Sequence, residues 1–363
     1  MFSSVLISLA LCITFIKASN QFIEWTGATF DFPDETTELN YKTNELYISK
    51  NIIASCAGIS NDDVFVALPR YKPGVPATLA RLYLIPKYSE PVLVPFPCWS
   101  EQELSNQTGL KCVVHICIDA HGILWAIDNG VVNILENPIR KCLPKVVGYN
   151  IATGERVKTL DMSGLVVKAS RIQFVIADYG NDGQPFIYVT DAATRSVLVF
   201  DVIGEKGYRL VLPKAITEAR KDVLYAALIQ KSDRNKYLIL TYLSGSRIFS
   251  IRTDYLRAGA ATGKVEDLGV KDGKIIVLGT DGGSALFYRY EGKPEIYRWD
   301  ANNSTFSRGE MVYTSPSCYL STCVMPDIKR RSMRVLESNF PDFFNGTVGC
   351  GVSQRITLMA GKY

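Results

Sequence analysis

Histidine is nearly absent from this chain. His115 and His121 are the only 2 among 363 residues. A three-histidine zinc centre is therefore excluded, and a nucleophile–histidine–acid triad has just two candidates for its base. An excess of one charge is also missing. The 40 basic and 36 acidic residues leave a net +4, and no basic block occurs. That is no electrostatic footprint for DNA or RNA. No Pro/Ser/Gly-rich linker, low-complexity tract or long amphipathic helical pattern divides the chain. G-x-S-x-G is lacking; the nearest string, GGSAL at 282–286, has no second glycine. AATGK at 260–264 lacks the glycine spacing of a P-loop, and neither G-x-G-x-x-G after a strand nor H-E-x-x-H occurs. The chain thus carries no local signature of a hydrolase, a nucleotide enzyme or a zinc protease.

Long apolar runs are scarce as well. The exception is VLISLALCITFI at 5–16, followed by Lys17, Ala18 and Ser19. It is shorter than the roughly 20 residues a membrane span needs, and fits a secretory leader over residues 1–19. The mature chain, 20–363, then reads as a single exported domain without a membrane span. Of 9 cysteines, Cys12 falls in the leader, which leaves Cys56, Cys98, Cys112, Cys117, Cys142, Cys318, Cys323 and Cys350. An even count in an exported chain points to disulfides, whose connectivity the spacing does not give. Cys112/Cys117 and Cys318/Cys323 are spaced C-x4-C rather than C-x2-C, so no metal site is read from them. N-glycosylation sequons occur at Asn106, Asn302, Asn303 and Asn345.

What is present is a recurring β-rich run, a turn and a second β-rich run. The six runs are VFVALPR (64–70), LWAIDNG (124–130), IYVTDAA (187–193), LILTYLS (238–244), IIVLGTD (275–281) and MRVLESN (333–339). Their starts are spaced by about 54 residues on average, the scale of a four-stranded propeller blade. An all-β, six-bladed β-propeller is the predicted fold. One blade cannot cover its own apolar faces, so blades pack side by side and close a ring.

Aligned, the six runs place Leu68, Asp128, Asp191, Tyr242, Thr280 and Glu337 at one position. If these runs are the innermost strands, those residues form a ring around the central channel, with Arg70, Asn129 and Ser338 near its mouth. Three carboxylates on one ring repel unless something positive lies among them. Three occupants fit: a protonated amine stacked on Tyr242, a Ca²⁺ ion, or Arg70 with water. Asp119, Asp182 and His121 lie in turn strings, and His115 in an apolar strand. These are read as structural residues.

Several longer segments carry a family resemblance. They are FIEWTGATFDFP (22–33), VFVALPRYKPGVPATLARL (64–82), VPFPCWS (94–100), IDAHGILWAIDNGVV (118–132), CLPKVVGYNIATGERVKTL (142–160), FIYVTDAATRSVLVFD (186–201), YLSGSRIFSIRT (242–253) and VLESNFPDFFNGTV (335–348). In this order the chain resembles the yellow / major royal jelly protein family of arthropods. The resemblance implies a secreted six-bladed propeller, with the 71–79 loop bordering the channel. It leaves function open among pigmentation proteins, a dopachrome-converting enzyme, nutritional proteins and binders of biogenic amines. The chain departs from the family at His121, where a cysteine is usual, at Arg289, where tryptophan is usual, and at Met333–Ser338. The leading expectation is binding of a small amine or catechol-like molecule in the channel, without catalysis. Asp128, Asp191 and Glu337 would hold the cation, and Tyr242 and Thr280 would orient it. The alternatives are a dopachrome tautomerase-like isomerase using the same residues, or a structural or nutritional protein with no specific ligand.

Overall fold

A computed structural model describes residues 22–85, 90–217, 220–349 and 351–359. The leader, 1–19, and Cys350 lie outside the described residues. Six four-stranded antiparallel sheets make the six blades. Blade 1 runs outward through Cys56–Ser60, Asp63–Ala67, Leu79–Tyr83 and Val94–Pro95. Blade 2 uses Val113–Ile118, Ile123–Asp128, Lys145–Asn150 and Arg156–Asp161. Blade 3 uses Ile172–Tyr179, Pro185–Asp191, Ser196–Asp201 and Lys206–Val211. Blade 4 uses Leu224–Gln230, Lys236–Tyr242, Arg247–Arg252 and Glu266–Val270. Blade 5 uses Ile275–Thr280, Ala285–Tyr290, Glu295–Asp300 and Glu310–Thr314.

Blade 6 takes three strands from the end of the chain, Leu320–Asp327, Ser332–Ser338 and Ser353–Met359. Its rim strand is Phe22–Thr26, which pairs antiparallel with Ser353–Met359. The two ends of the chain are thereby sewn into one sheet, and the ring closes by backbone hydrogen bonds. The first strand of each blade touches the first strands of both neighbouring blades, in a closed circuit of six. These first strands are therefore the hub.

Burial explains the strand pattern. Second strands are sandwiched on both faces by neighbouring blades. Phe186–Asp191, for example, is buried at every position. Such strands are rich in Val, Ile and Leu, which suit a pleated, fully covered surface. Inner strands alternate less cleanly, because one edge meets the axis. Four of them carry a register irregularity, at Val113/His115, Ile172/Val175, Val277/Gly279 and Ser321/Cys323. A bulge of this kind re-aims the side chains beside it.

Candidate functional site

The predicted ring of side chains lies one strand further out than expected. Five of its six members end second strands or lie just beyond them. Asp128 pairs with Val113, Asp191 with Ile172, Tyr242 with Leu224 and Glu337 with Ser321, each at or near the start of the inner strand. Leu68 follows Ala67, which pairs with Cys56. Thr280 does not belong to this set. The 275–281 run is itself an inner strand, and Thr280 pairs with Leu286 at the opposite end of blade 5. The equivalent position in blade 5 is Tyr290, opposite Ile275. The six residues therefore do not form one ring on the hub.

Asp128 and Asp191 are buried and partnered within their own blades, whereas buried Glu337 is partnered at Oε1 alone, in part from blade 5, and its Oε2 has no hydrogen-bond partner among the described residues. Asp128 Oδ1 accepts from the backbone N–H groups of Cys112 (2.8 Å) and Gly130 (2.9 Å), and Oδ2 accepts from that of Lys111 (2.8 Å). Lys145 Nζ stands 3.9 Å away. Asp191 Oδ1 accepts from the N–H groups of Arg171 (2.8 Å), Ala193 (3.2 Å) and Thr194 (3.3 Å), while Oδ2 accepts from the Thr194 hydroxyl at 2.6 Å. Both aspartates thus tie the end of a second strand to the start of an inner one. Glu337 Oε1 accepts from the Tyr313 hydroxyl and from Arg355 Nε. The Tyr242 hydroxyl donates to the Ala192 carbonyl at 2.8 Å, joining blade 4 to blade 3.

Arg70 is spent in the same way. Its guanidinium donates to five backbone carbonyls: Val75, Pro76, Gln102, Leu110 and Lys111. It fixes the proline-rich 71–79 loop against blade 2. Burial lowers its pKa to about 10, so it remains charged near neutrality. Asn129 is a turn residue, accepting from the Val131 N–H at 2.9 Å. Thr280 accepts a long 3.4 Å bond from the Gly282 N–H. Among the described residues, no group of three or more His, Cys, Asp or Glu is placed to hold a metal ion.

The hub carries a different chemistry. Three rings from consecutive inner strands meet across blade boundaries: His115 of blade 2, Phe174 of blade 3 and Tyr225 of blade 4. Their centroids are 5.0 Å and 5.3 Å apart. His115 and Phe174 sit at the two bulges of their strands and are only half-buried, whereas Tyr225 is buried. His115 Nδ1 accepts from the Val175 N–H at 3.3 Å, which places its proton on Nε2. Burial lowers its pKa to about 4, so it is neutral at physiological pH. Burial also pushes the Tyr225 phenol up, an effect that nearby Arg289 partly offsets. Arg289 itself is buried, and its Nε donates to the Ser321 carbonyl at 2.8 Å. The arc was missed in the sequence because its members fall outside the six aligned runs. The visible signal was Gln173-Phe174 near the start of an otherwise largely apolar strand, together with His115 within the apolar string VVHIC.

A concavity of about 560 Å³ lies on blade 5. Tyr290, Tyr297, Arg308, Asp272 and Lys274 line part of it. Its polar groups are largely paired with one another: the Tyr290 hydroxyl donates to Asp272, Arg308 donates to the Tyr297 hydroxyl, and Lys274 pairs with Glu291.

Comparison with known proteins decides the family. The model of the major royal jelly protein family matches residues 111–359, more than half of the chain. The chain belongs to the major royal jelly protein family. Among curated relatives, dopaminechrome tautomerase of Drosophila melanogaster is 27% identical over 192 residues, covering 52% of this chain and 42% of the relative. Major royal jelly protein 1 of Apis mellifera is 24% identical over 195 residues, covering 52% and 44%. Protein yellow of Drosophila melanogaster is 23% identical over 189 residues, covering 51% and 35%. The match thus spans less than half the length of each of these relatives. No described helix of this family member is long and apolar enough to cross a membrane.

Proposed function

We propose that this chain is an exported family member that binds a planar, electron-rich aromatic molecule of the catechol type at the hub, on the arc His115–Phe174–Tyr225. The observation that carries this reading is the arc itself. Ring pairs at offset or edge geometry contribute about 0.5–1.5 kcal/mol each beyond area burial. A catechol placed against Phe174 would meet one ring face, and His115 Nε2 would offer a donor to its hydroxyl oxygen. An amine on the same molecule would gain a cation–π contact of about 0.5–2 kcal/mol. The buried aspartates would not be needed to hold it. The name of one relative from Drosophila melanogaster, dopaminechrome tautomerase, is in keeping with a catechol-derived ligand.

That name also supports a second reading, an isomerase. Tautomerisation needs a general base whose pKa lies near the working pH. His115, lowered to about 4, is a poor base at neutrality. Binding therefore stands ahead of turnover.

Calorimetric titration with dopamine, octopamine, serotonin, an amine-free catechol and Ca²⁺ tests the reading. The catechol without an amine is expected to bind within about thirtyfold of dopamine, the most that a cation–π contact of about 2 kcal/mol supplies, and Ca²⁺ not to bind. Amine-dependent binding, or no binding of any aromatic, would overturn it. Turnover of dopaminechrome above its uncatalysed rearrangement would establish the second reading instead.

A further inference from the structure

The seam between blades 1 and 6 is where the ring closes, and it is fastened at several levels. At the rim, Phe22–Thr26 completes blade 6. On one face, Lys329 and Arg330 of blade 6 both pair with Asp62 in the first turn of blade 1. At the hub, Cys56 on the inner strand of blade 1 meets Cys323 on the inner strand of blade 6. Their Sγ atoms are 3.8 Å apart, although the residues are separated by 267 positions in sequence. Both side chains are buried, 4% and 8% exposed. Each thiol otherwise has only long contacts to carbonyls, Cys56 to Ile116 at 3.7 Å and Cys323 to Ala57 at 3.5 Å. The seven described cysteines are free thiols in this structure, and Cys56 and Cys323 are in direct contact.

We propose that Cys56 and Cys323 are a disulfide pair of the exported protein, which locks the ring at its hub. The inference rests on the export reading. The sulfurs must close from 3.8 Å to the roughly 2.0 Å of an S–S bond. The oxidant is a disulfide-bearing oxidoreductase of the export pathway. One cysteine thiolate attacks its disulfide to give a mixed disulfide, and the second thiolate attacks the chain's own sulfur in that bond. The oxidoreductase leaves as the dithiol with the two electrons, and the chain loses two protons. Contact with Cys323 and burial push the Cys56 thiol well above its ordinary range. The same contact lowers the Cys323 thiol. Both sulfurs are buried once the seam is closed, out of reach of an oxidoreductase, so exchange belongs to the moment before the blades dock. Cross-linking across so long a loop removes much of the unfolded chain's freedom, so reduction is expected to lower Tm by about 5–8 °C.

The test is peptide mapping of the secreted protein, alkylated while denatured and unreduced. The chain is expressed with its own N-terminus and, in parallel, behind a heterologous leader. Failure of the first alone counts against export and leaves the pairing readable from the second. Trypsin releases 51–70, which carries Cys56, and 309–329, which carries Cys318 and Cys323. A cross-link of these two peptides, assigned to Cys323 after chymotryptic cleavage beyond Tyr319, is expected. Alkylated Cys56 and Cys323, or either one bonded to a different cysteine, would overturn the proposal. As a second readout, dithiothreitol should lower Tm in the wild type, and less so in Cys56→Ala.

Discussion

Asp128 and Asp191 hold corresponding places in blades 2 and 3, yet the same substitution should cost them different amounts. In Asp128→Asn the one remaining acceptor oxygen can serve Cys112 and Gly130, which already share Oδ1. The new amide nitrogen then faces the Lys111 N–H, which can only donate. A hydrogen bond to a charged acceptor, about 1.5–3 kcal/mol, is replaced by two buried donors facing each other, which adds about 1–3 kcal/mol. A loss of about 3 kcal/mol or more is expected. In Asp191→Asn the oxygen keeps Arg171, Ala193 and Thr194. The amide nitrogen meets the Thr194 hydroxyl, which can turn to accept and donate instead to Ser196 Oγ at 2.7 Å. Only the charge is lost, and the cost is about 1 kcal/mol. At about 2.1 cal/mol/K per residue over 363 residues, unfolding entropy is roughly 0.7 kcal/mol/K. Scanning calorimetry should then show Tm falling by about 4 °C for Asp128→Asn and by 1–2 °C for Asp191→Asn. Equal shifts, or the larger one at Asp191, would refute this account of the two carboxylates.

Three further outcomes are expected. Arg70→Met strips donors from five buried carbonyls and should cost about 3–5 kcal/mol in urea unfolding; a midpoint near that of the wild type would contradict the role given to Arg70. The folded pKa of His115 lies below its unfolded value of 6.5, so the unfolded chain binds the extra proton first. Stability from this group is full above about pH 6.5 and is lost as pH falls towards about 4; His115→Gln should flatten that part of the stability profile, and an unchanged slope would count against the depressed pKa. Glycan mapping of secreted protein should find Asn303 or Asn345 occupied, since both are exposed, and Asn106 bare, since its amide is held by the Ser100 carbonyl at 2.9 Å; an occupied Asn106 would mean that contact does not form.

The six blades were legible because second strands announce themselves. Runs such as IYVTD and LILTY are covered on both faces, so they are nearly all apolar. The same fact misplaced the ring. Inner strands border the axis, carry bulges and mix Gln173, Phe174 and His115 with apolar residues, so the strongest pattern lay one strand outside the hub. In blade 5 the contrast reverses: IIVLGT is the inner strand and is more apolar than ALFYRY beside it, which is why Thr280 entered the alignment in place of Tyr290. The carboxylates were correctly located at strand ends. The partners of the two aspartates were illegible, because they are mostly backbone N–H groups brought in by turns at Lys111–Cys112 and Ala193–Thr194. Closure of blade 6 by Phe22–Thr26 and the meeting of Cys56 with Cys323 join residues from opposite ends of the chain, which no local pattern encodes.

The central claim is that recognition belongs to the aromatic arc and that the buried carboxylates serve the fold. Titration of one catechol into the wild type, Phe174→Ala and Asp191→Asn tests it most directly. Loss of the Phe174 ring should raise Kd by about tenfold or more, equivalent to about 1.4 kcal/mol, while Asp191→Asn stays within about twofold of the wild type. The reverse order, with Asp191→Asn weakened and Phe174→Ala unaffected, would contradict the account.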